Sequence, residues 1–240
     1  MLALYHHRQM TRPQPPRLTN DARTIAVQTH GRYLIDLPHA AVATLVGFHG
    51  YLENAATHLR VMKRIAGGRL LNLISIQALN RFYTSAGTVG AGWMTSEDSE
   101  LVVADNIAYV AAVLDEVAGQ TGLGGPLFYG GFSQGVAMAY RAAAFVPRPC
   151  RGVIALAGDV PPDVAPVTAG LPPVLLGRGT ADAWYTTEKA TKDLAVLRGA
   201  GVVVDEYVFD GGHVWDDSFV ARAGAFVDQR VSATPVRSGD

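Results

Sequence analysis

Short, wholly apolar runs alternate with longer amphipathic ones along most of the chain. Ala43–Phe48 reads ATLVGF, and Leu70–Ile76, Leu127–Tyr129, Val153–Ala157 and Val174–Leu176 are similarly apolar, as expected of strands buried on both faces. Val202–Phe209 adds a strand rich in β-branched residues. Between these runs the spacing turns helical. Val103, Ile107, Val110, Leu114 and Val117 step by four, three, four and three, one face of a helix, with Gly119 placed to stop it. Asn54–Ile65, Gln134–Val146 (ended by Pro147), Thr187–Leu197 (closed by Gly199) and Asp217–Val231 read as the other helices. Strand–helix alternation of this kind predicts an α/β fold, a three-layer sandwich around a mainly parallel, doubly wound sheet.

Two stretches depart from the alternation. Thr24–Gln28 and Tyr33–Asp36 flank His30-Gly31 and suggest an antiparallel edge hairpin. From Gln77 to Glu100 the periodicity disappears; Gly87, Gly90 and Gly92 among Phe82, Tyr83 and Trp93 suggest a long loop at one end of the sheet, and such loops are commonly functional. The glycines of Gly122–Gly125 precede a strand and read as a turn. Pro13, Pro15 and Pro16 make residues 1–18 an extended arm, in which His6 and His7 belong to a floppy terminus rather than a metal site. Residues 19–233 form a single domain, and 234–240 a tail.

Composition narrows the function classes. With 49% hydrophobic and 17% charged residues in 240, the chain has material for one large core. Twenty Lys+Arg against 21 Asp+Glu leave a net charge of -1, without the basic footprint of a nucleic-acid partner or an anionic membrane surface. Cys150 is the only cysteine, which excludes an intrachain disulfide and a cysteine-built metal site. No segment approaches the ~18 consecutive apolar residues of a membrane span, and the opening residues lack the basic flank of a secretory signal. A soluble, cytoplasmic protein is the expectation. His30, His39 and His58 have no partners at metal-ligand spacing, and neither H-E-x-x-H nor a phosphate-cradling loop occurs. No cofactor or metal is implied.

The chemistry-bearing signal is Gly131-Phe132-Ser133-Gln134-Gly135, a G-x-S-x-G pentapeptide with an apolar run before it and a helix after it. That setting puts a serine on a sharp strand-to-helix turn. A serine hydroxyl needs a base beside it to act as a nucleophile. The loops after later strands supply candidates in the order Ser…Asp…His: Asp182 in Gly179-Thr180-Ala181-Asp182, and His213, the only histidine beyond Ser133. Asp159 also follows a strand and is an alternative acid, whereas Asp210 reads as a turn residue.

Taken together, GFHGYLEN at 47–54, GGFSQG at 130–135, LAGDVPP at 156–162, GRGTAD at 177–182 and GGH at 211–213 resemble, in order, the serine α/β-hydrolases. The likeness is to their phospholipase/carboxylesterase group, including the acyl-protein-thioesterase-like enzymes. The resemblance implies the α/β-hydrolase fold, with Ser133 as nucleophile, His213 as general base and Asp182 orienting it. It also implies an oxyanion hole from the backbone N–H groups of Gln134 and Tyr51, the residue after His49-Gly50. Leu52 replaces the second glycine of the commoner H-G-x-G-D/E form and restricts the backbone there. His49 itself suits a structural role, hydrogen-bonding this loop.

Many enzymes of this fold insert a helical lid after the strand at 153–157. Here about fifteen proline-rich residues reach the next strand, so no lid domain is expected and an interfacial lipase is disfavoured. Trp184, Trp215 and Trp93 are candidates for the pocket mouth, or else simply pack the loops. The expected activity is hydrolysis of small-molecule carboxylic esters through an acyl-serine. Thioesters, lysophospholipids and peptides are the alternatives on the same scaffold, and a hydrolase-like binding module is the non-catalytic one. Exposed apolar loops leave a homodimer open.

Overall fold

The computed structural model describes residues 23–232; the arm at 1–18 and the tail at 234–240 lie outside them. The chain runs β1 (Arg32–Asp36), β2 (Ala43–Phe48), α1 (Ala55–Ala66), β3 (Leu71–Gln77), β4 (Asn80–Tyr83), β5 (Val89–Gly92) and α2 (Ser99–Thr121). It continues with β6 (Leu127–Phe132), α3 (Gln134–Phe145), β7 (Gly152–Leu156), β8 (Val174–Gly179), α4 (Thr187–Gly199), β9 (Val204–Phe209) and α5 (Asp217–Ser232). Seven strands form one sheet in the order β1-β3-β2-β6-β7-β8-β9. Only the edge strand β1 is antiparallel. Helices α1 and α5 pack against each other on one face, and α2 and α3 pack together on the other. This is the three-layer α/β-hydrolase arrangement, with every residue of β2, β3, β6 and β7 buried.

The strand order decides where a site can form. From β2 the chain moves outward to β3 on one side, then returns to lay β6 on the other side. That reversal opens a crevice at the carboxyl ends of β2 and β6, where open α/β sheets bind ligands. Register places the ends level: Phe48 lies opposite Gly131, and Phe132 opposite Leu156. Between β7 and β8 there is only a proline-rich connection with one 3-10 turn, Ala165–Gly170, so no lid domain is inserted.

Three sequence expectations need correction. Residues 24–28 form no strand and no hairpin; Ile25 and Val27 are exposed, and β1 instead pairs with β3, Tyr33 opposite Ile76 and Ile35 opposite Ile74. The Tyr109 ring fills the space a Cβ on Gly31 would need, and its hydroxyl donates to Arg32 O at 2.7 Å. Second, the 77–100 stretch contains the antiparallel hairpin β4–β5. Gly90 is demanded by close approach to the Leu52 carbonyl, and Gly92 lies tight against the Tyr51 ring; the two erase the alternation that marks a strand. Third, α2 begins at Ser99 and passes through Gly119. Gly119 is exposed with open space around it, and Gly122 at φ 69° ends the helix, in a left-handed conformation that favours glycine.

Arg141 of α3 is the most buried cationic side chain beneath the crevice, 6% exposed, and forms a two-pronged pair with Asp163 at 2.8 and 2.9 Å. Removing one partner of such a pair strands the other charge away from water. Asp163→Ala is expected to cost about 3 kcal/mol in urea unfolding; a loss below about 1 kcal/mol would mean the guanidinium is satisfied without its partner.

Candidate active site

Ser133 sits between the end of β6 and the start of α3 with φ 52° and ψ -122°. A non-glycine residue takes that conformation only where the surroundings impose it. The surroundings are backbone. A Cβ on Gly131 would collide with Gly135, one on Gly135 with the carbonyls of Phe48 and His49, and one on Gly158 with the Ser133 carbonyl. Ser133 N–H donates to Leu156 O at 2.9 Å, and its carbonyl accepts from Val136 N–H at 3.0 Å. The two motif glycines are thus required by packing on both sides of the turn, which turns the serine toward the crevice.

His213 Nδ1–H donates to Asp182 Oδ2 at 2.8 Å. The other carboxylate oxygen, Oδ1, accepts the N–H groups of Trp184 (2.8 Å) and Tyr185 (2.9 Å). The Asp182 side chain is fully buried, and that of His213 is 22% exposed. The two loops are bound together: Ala181 N–H donates to Gly211 O at 2.8 Å, and a Cβ on Gly179 would strike the carbonyls of Gly211 and Gly212. Phe132 stacks against His213 with ring centroids 4.9 Å apart. With Nδ1 committed to Asp182, Nε2 is the nitrogen left to exchange protons.

Of the two acids weighed, Asp182 is the one bonded to His213. Asp159 is half exposed and faces Lys189 Nζ at 3.5 Å. Asp210 is exposed and accepts from Thr180 Oγ1 at 3.3 Å, a turn contact. Ser133 and His213 line one cavity of about 360 Å³ with Met94, Arg141, Trp184 and Lys189. A neighbouring cavity of about 520 Å³ is lined by Tyr51, Phe82, Met94 and Gln134, so Met94 and Gln134 border both. Of the tryptophans, Trp184 is 75% exposed at the rim. Trp93 is fully buried and donates to His49 O at 2.9 Å, and Trp215 packs on Phe132, His58 and Phe219. Only Trp184 lines the cavity holding Ser133.

Gln134 N–H, the first of α3, has no carbonyl one turn back to bond, and Gln134 lines the same cavity as Ser133. The loop after β2 lies opposite. Its Leu52 adopts φ 70°, the left-handed conformation a glycine would take freely. Glu53 braces the same loop by accepting Gly50 N–H at 2.8 Å. Burial pushes the Glu53 carboxyl up, against the Gly50 hydrogen bond and the His213 charge, which pull it down. His49 is fully buried, donating from Nδ1 to Gly50 O at 2.7 Å and accepting Ala78 N–H on Nε2 at 3.0 Å. It is a brace for the loop, and burial lowers its pKa to about 4.

Sequence reasoning missed Glu53, Arg141, Lys189 and the side chain of Gln134. For Arg141 a signal existed. Gln134, Ala137 and Arg141 all line the cavity, and steps of three and four share a helix face. Among the described residues no group of three His, Cys, Asp or Glu side chains is arranged to hold a metal, and no helix is long and apolar enough to cross a membrane.

No family model and no curated protein matches the chain. Solved structures do. Esterase PE8 is similar at 24% identity and TM-score 0.66, covering 85% of this chain and 100% of that one. The acyl-protein thioesterase 2 of Zea mays is similar at 20% identity and TM-score 0.66, covering 85% and 100%. A carboxylesterase of Mesorhizobium loti is similar at 21% identity and TM-score 0.66, covering 78% and 89%. Likeness at this level establishes a shared fold.

The buried histidines carry a pH consequence. His49 is lowered to about 4 and His58 to about 3, both mainly by burial. Below the ordinary imidazole pKa of ~6.5 the unfolded chain therefore binds protons that the folded chain refuses, and stability falls with pH. Around pH 5 each should contribute a slope approaching about 1.4 kcal/mol per pH unit, that of His49 fading first as pH nears 4, where the folded imidazole itself begins to protonate. His58→Leu is expected to flatten the measured dependence by about one proton; an unchanged slope would mean His58 is charged in the folded state.

Proposed function

We propose that the protein is a serine carboxylic ester hydrolase acting on small-molecule esters with short-to-medium acyl chains or aromatic acids. The observation that carries this reading is the Asp182–His213 hydrogen bond of 2.8 Å, whose imidazole lines the same cavity as the strained Ser133. In the proposed reaction His213 Nε2 takes the Ser133 proton as Oγ attacks the ester carbonyl, forming a tetrahedral oxyanion. The Tyr51 and Gln134 backbone N–H groups would receive that oxyanion. Collapse expels the alcohol, which leaves with the proton from His213. Water then repeats the sequence on the acyl-serine and releases the acid. Asp182 holds the imidazole in the required tautomer and balances its transient positive charge.

Three further features support the assignment. Asp182 has both carboxylate oxygens occupied by donors, which fixes the direction in which the carboxylate meets the imidazole. The short β7–β8 connection leaves the cavity accessible without a covering domain. The solved structures sharing the fold include an esterase, a carboxylesterase and an acyl-protein thioesterase. Thioester hydrolysis is the second reading, resting on the last of these and on the same acyl-serine chemistry. A single cysteine and the absence of any disulfide suit a cytoplasmic setting.

A panel of p-nitrophenyl esters from acetate to palmitate, with Ser133→Ala beside the parent, tests the reading. Turnover should peak at the shorter chains and disappear in the variant; parent-like rates in Ser133→Ala, or a parent that neither turns over esters nor labels with a fluorophosphonate, would end it. Asp182→Asn should lower kcat by roughly 10⁴ through the wrong histidine tautomer. A heavier loss from Asp159→Asn than from Asp182→Asn would overturn the choice of acid.

A further inference from the structure

The side chain of Gln134 is fully engaged. Its Oε1 accepts Trp93 N–H at 2.7 Å, and its Nε2 donates to Met94 O at 3.2 Å. The residue directly after the elbow serine therefore grips the segment leaving β5 with both ends of its carboxamide. That segment is bound in turn to the loop after β2. Leu52 N–H donates to Ala91 O at 3.2 Å, and Ala91 N–H donates to Glu53 O at 2.8 Å. The Trp93 indole adds a third tie, to His49 O at 2.9 Å. The hairpin thus bonds the 49–53 loop at three points along its length.

The loop needs that support at Leu52. A left-handed conformation is unfavourable for a non-glycine residue, whose Cβ crowds the following carbonyl, and Leu52 holds φ 70° with its side chain half exposed. Its own packing does little to enforce the conformation. Gly90 instead lies directly against the Leu52 carbonyl, and Gly92 against the Tyr51 ring. These close approaches bring the hairpin near enough to bond residues 52 and 53.

We propose that the Gln134 carboxamide is a positioning residue for the oxyanion loop. By clamping Trp93 and Met94 it seats the β4–β5 hairpin on residues 49–53, keeps Leu52 left-handed, and so fixes the direction of the Tyr51 N–H. The proposal rests on the esterase reading, from which it takes only the roles of the Tyr51 and Gln134 backbone donors. Where glycine would hold the turn by its own freedom, leucine depends on a splint. Gln134 thereby links the two halves of the oxyanion site, one through its backbone and the other through its side chain.

The test uses the full chain, with Gln134→Met (similar length, neither hydrogen bond), Leu52→Gly and the double variant. Each is assayed on p-nitrophenyl acetate, and amide hydrogen exchange is followed in peptides covering 50–53 and 89–94. Gln134→Met is expected to lower kcat by about 10- to 100-fold, the scale of a misplaced catalytic group, with KM changed far less, and to speed exchange in both segments. In the Leu52→Gly background the same substitution should cost much less, since glycine needs no splint. Equal losses in both backgrounds, or parent-like kcat and exchange in Gln134→Met, would overturn the proposal. If Gln134→Met does not fold, Gln134→Glu replaces it: its carboxylate still accepts Trp93 N–H but cannot donate to Met94 O, and the same comparison applies. If the parent hydrolyses no ester, the esterase reading fails separately, and exchange alone decides: unchanged protection at 50–53 refutes the clamp.

Discussion

The reversed backbone at Ser133 is the constraint on which the carboxyl edge of the sheet depends. A residue at φ 52° without glycine's freedom has to be held there by its neighbours, and the holding groups come from three separate strands. Gly131 and Gly135 let the turn close on itself and on the end of β2, while Gly158 lets the chain leaving β7 pass under the serine carbonyl. Side chains larger than hydrogen at these positions would force the strands apart. The crossover between β2 and β6 thus creates a crevice, and backbone packing determines which residue faces into it.

A second level of order builds on that edge. The acid and base loops meet backbone to backbone at Gly179, Gly211 and Gly212, so the Asp182–His213 bond joins two loops already in register. Asp193 performs a similar task on the far side of the cavity. It accepts Val160 N–H at 3.1 Å and the Tyr185 hydroxyl at 2.9 Å, tying α4 to the chain beyond β7. Burial pushes its carboxyl up while those two donors pull it down. Arg141 and Asp193 are thus held in structural bonds near the crevice, while His213, Asp159 and Lys189 line the cavity partly exposed.

Much of this was legible in the sequence because it is periodic. Continuous apolar runs give the central strands, and the step of three and four gives α2 and α3. The order Ser133, Asp182, His213 follows from loops after β6, β8 and β9, and the geometry places the last two in contact. What escaped notice is non-periodic. The β4–β5 hairpin was hidden because Gly90 and Gly92 answer to Leu52 and Tyr51, residues some forty positions earlier, rather than to strand preference. Thr24–Gln28 has the alternation of a strand, yet Ile25 and Val27 stay exposed and β1 is left as the edge of the sheet. The buried neutrality of His49 and the double grip of Gln134 are equally tertiary facts. No local pattern separates a bracing histidine from a solvated one.

The placement of the tryptophans has an optical consequence. All three in the sequence belong to the carboxyl edge of the sheet or the loops above it: Trp93 fully buried, Trp215 against Phe132, and Trp184 open at the cavity rim. Tryptophan emission from this protein therefore originates at one end of the molecule, from three indoles of graded polarity. The buried donor should emit to the blue and the rim indole to the red, and a molecule entering the cavity would change the red component first. The opposite end of the sheet carries no tryptophan and is dark to the same measurement.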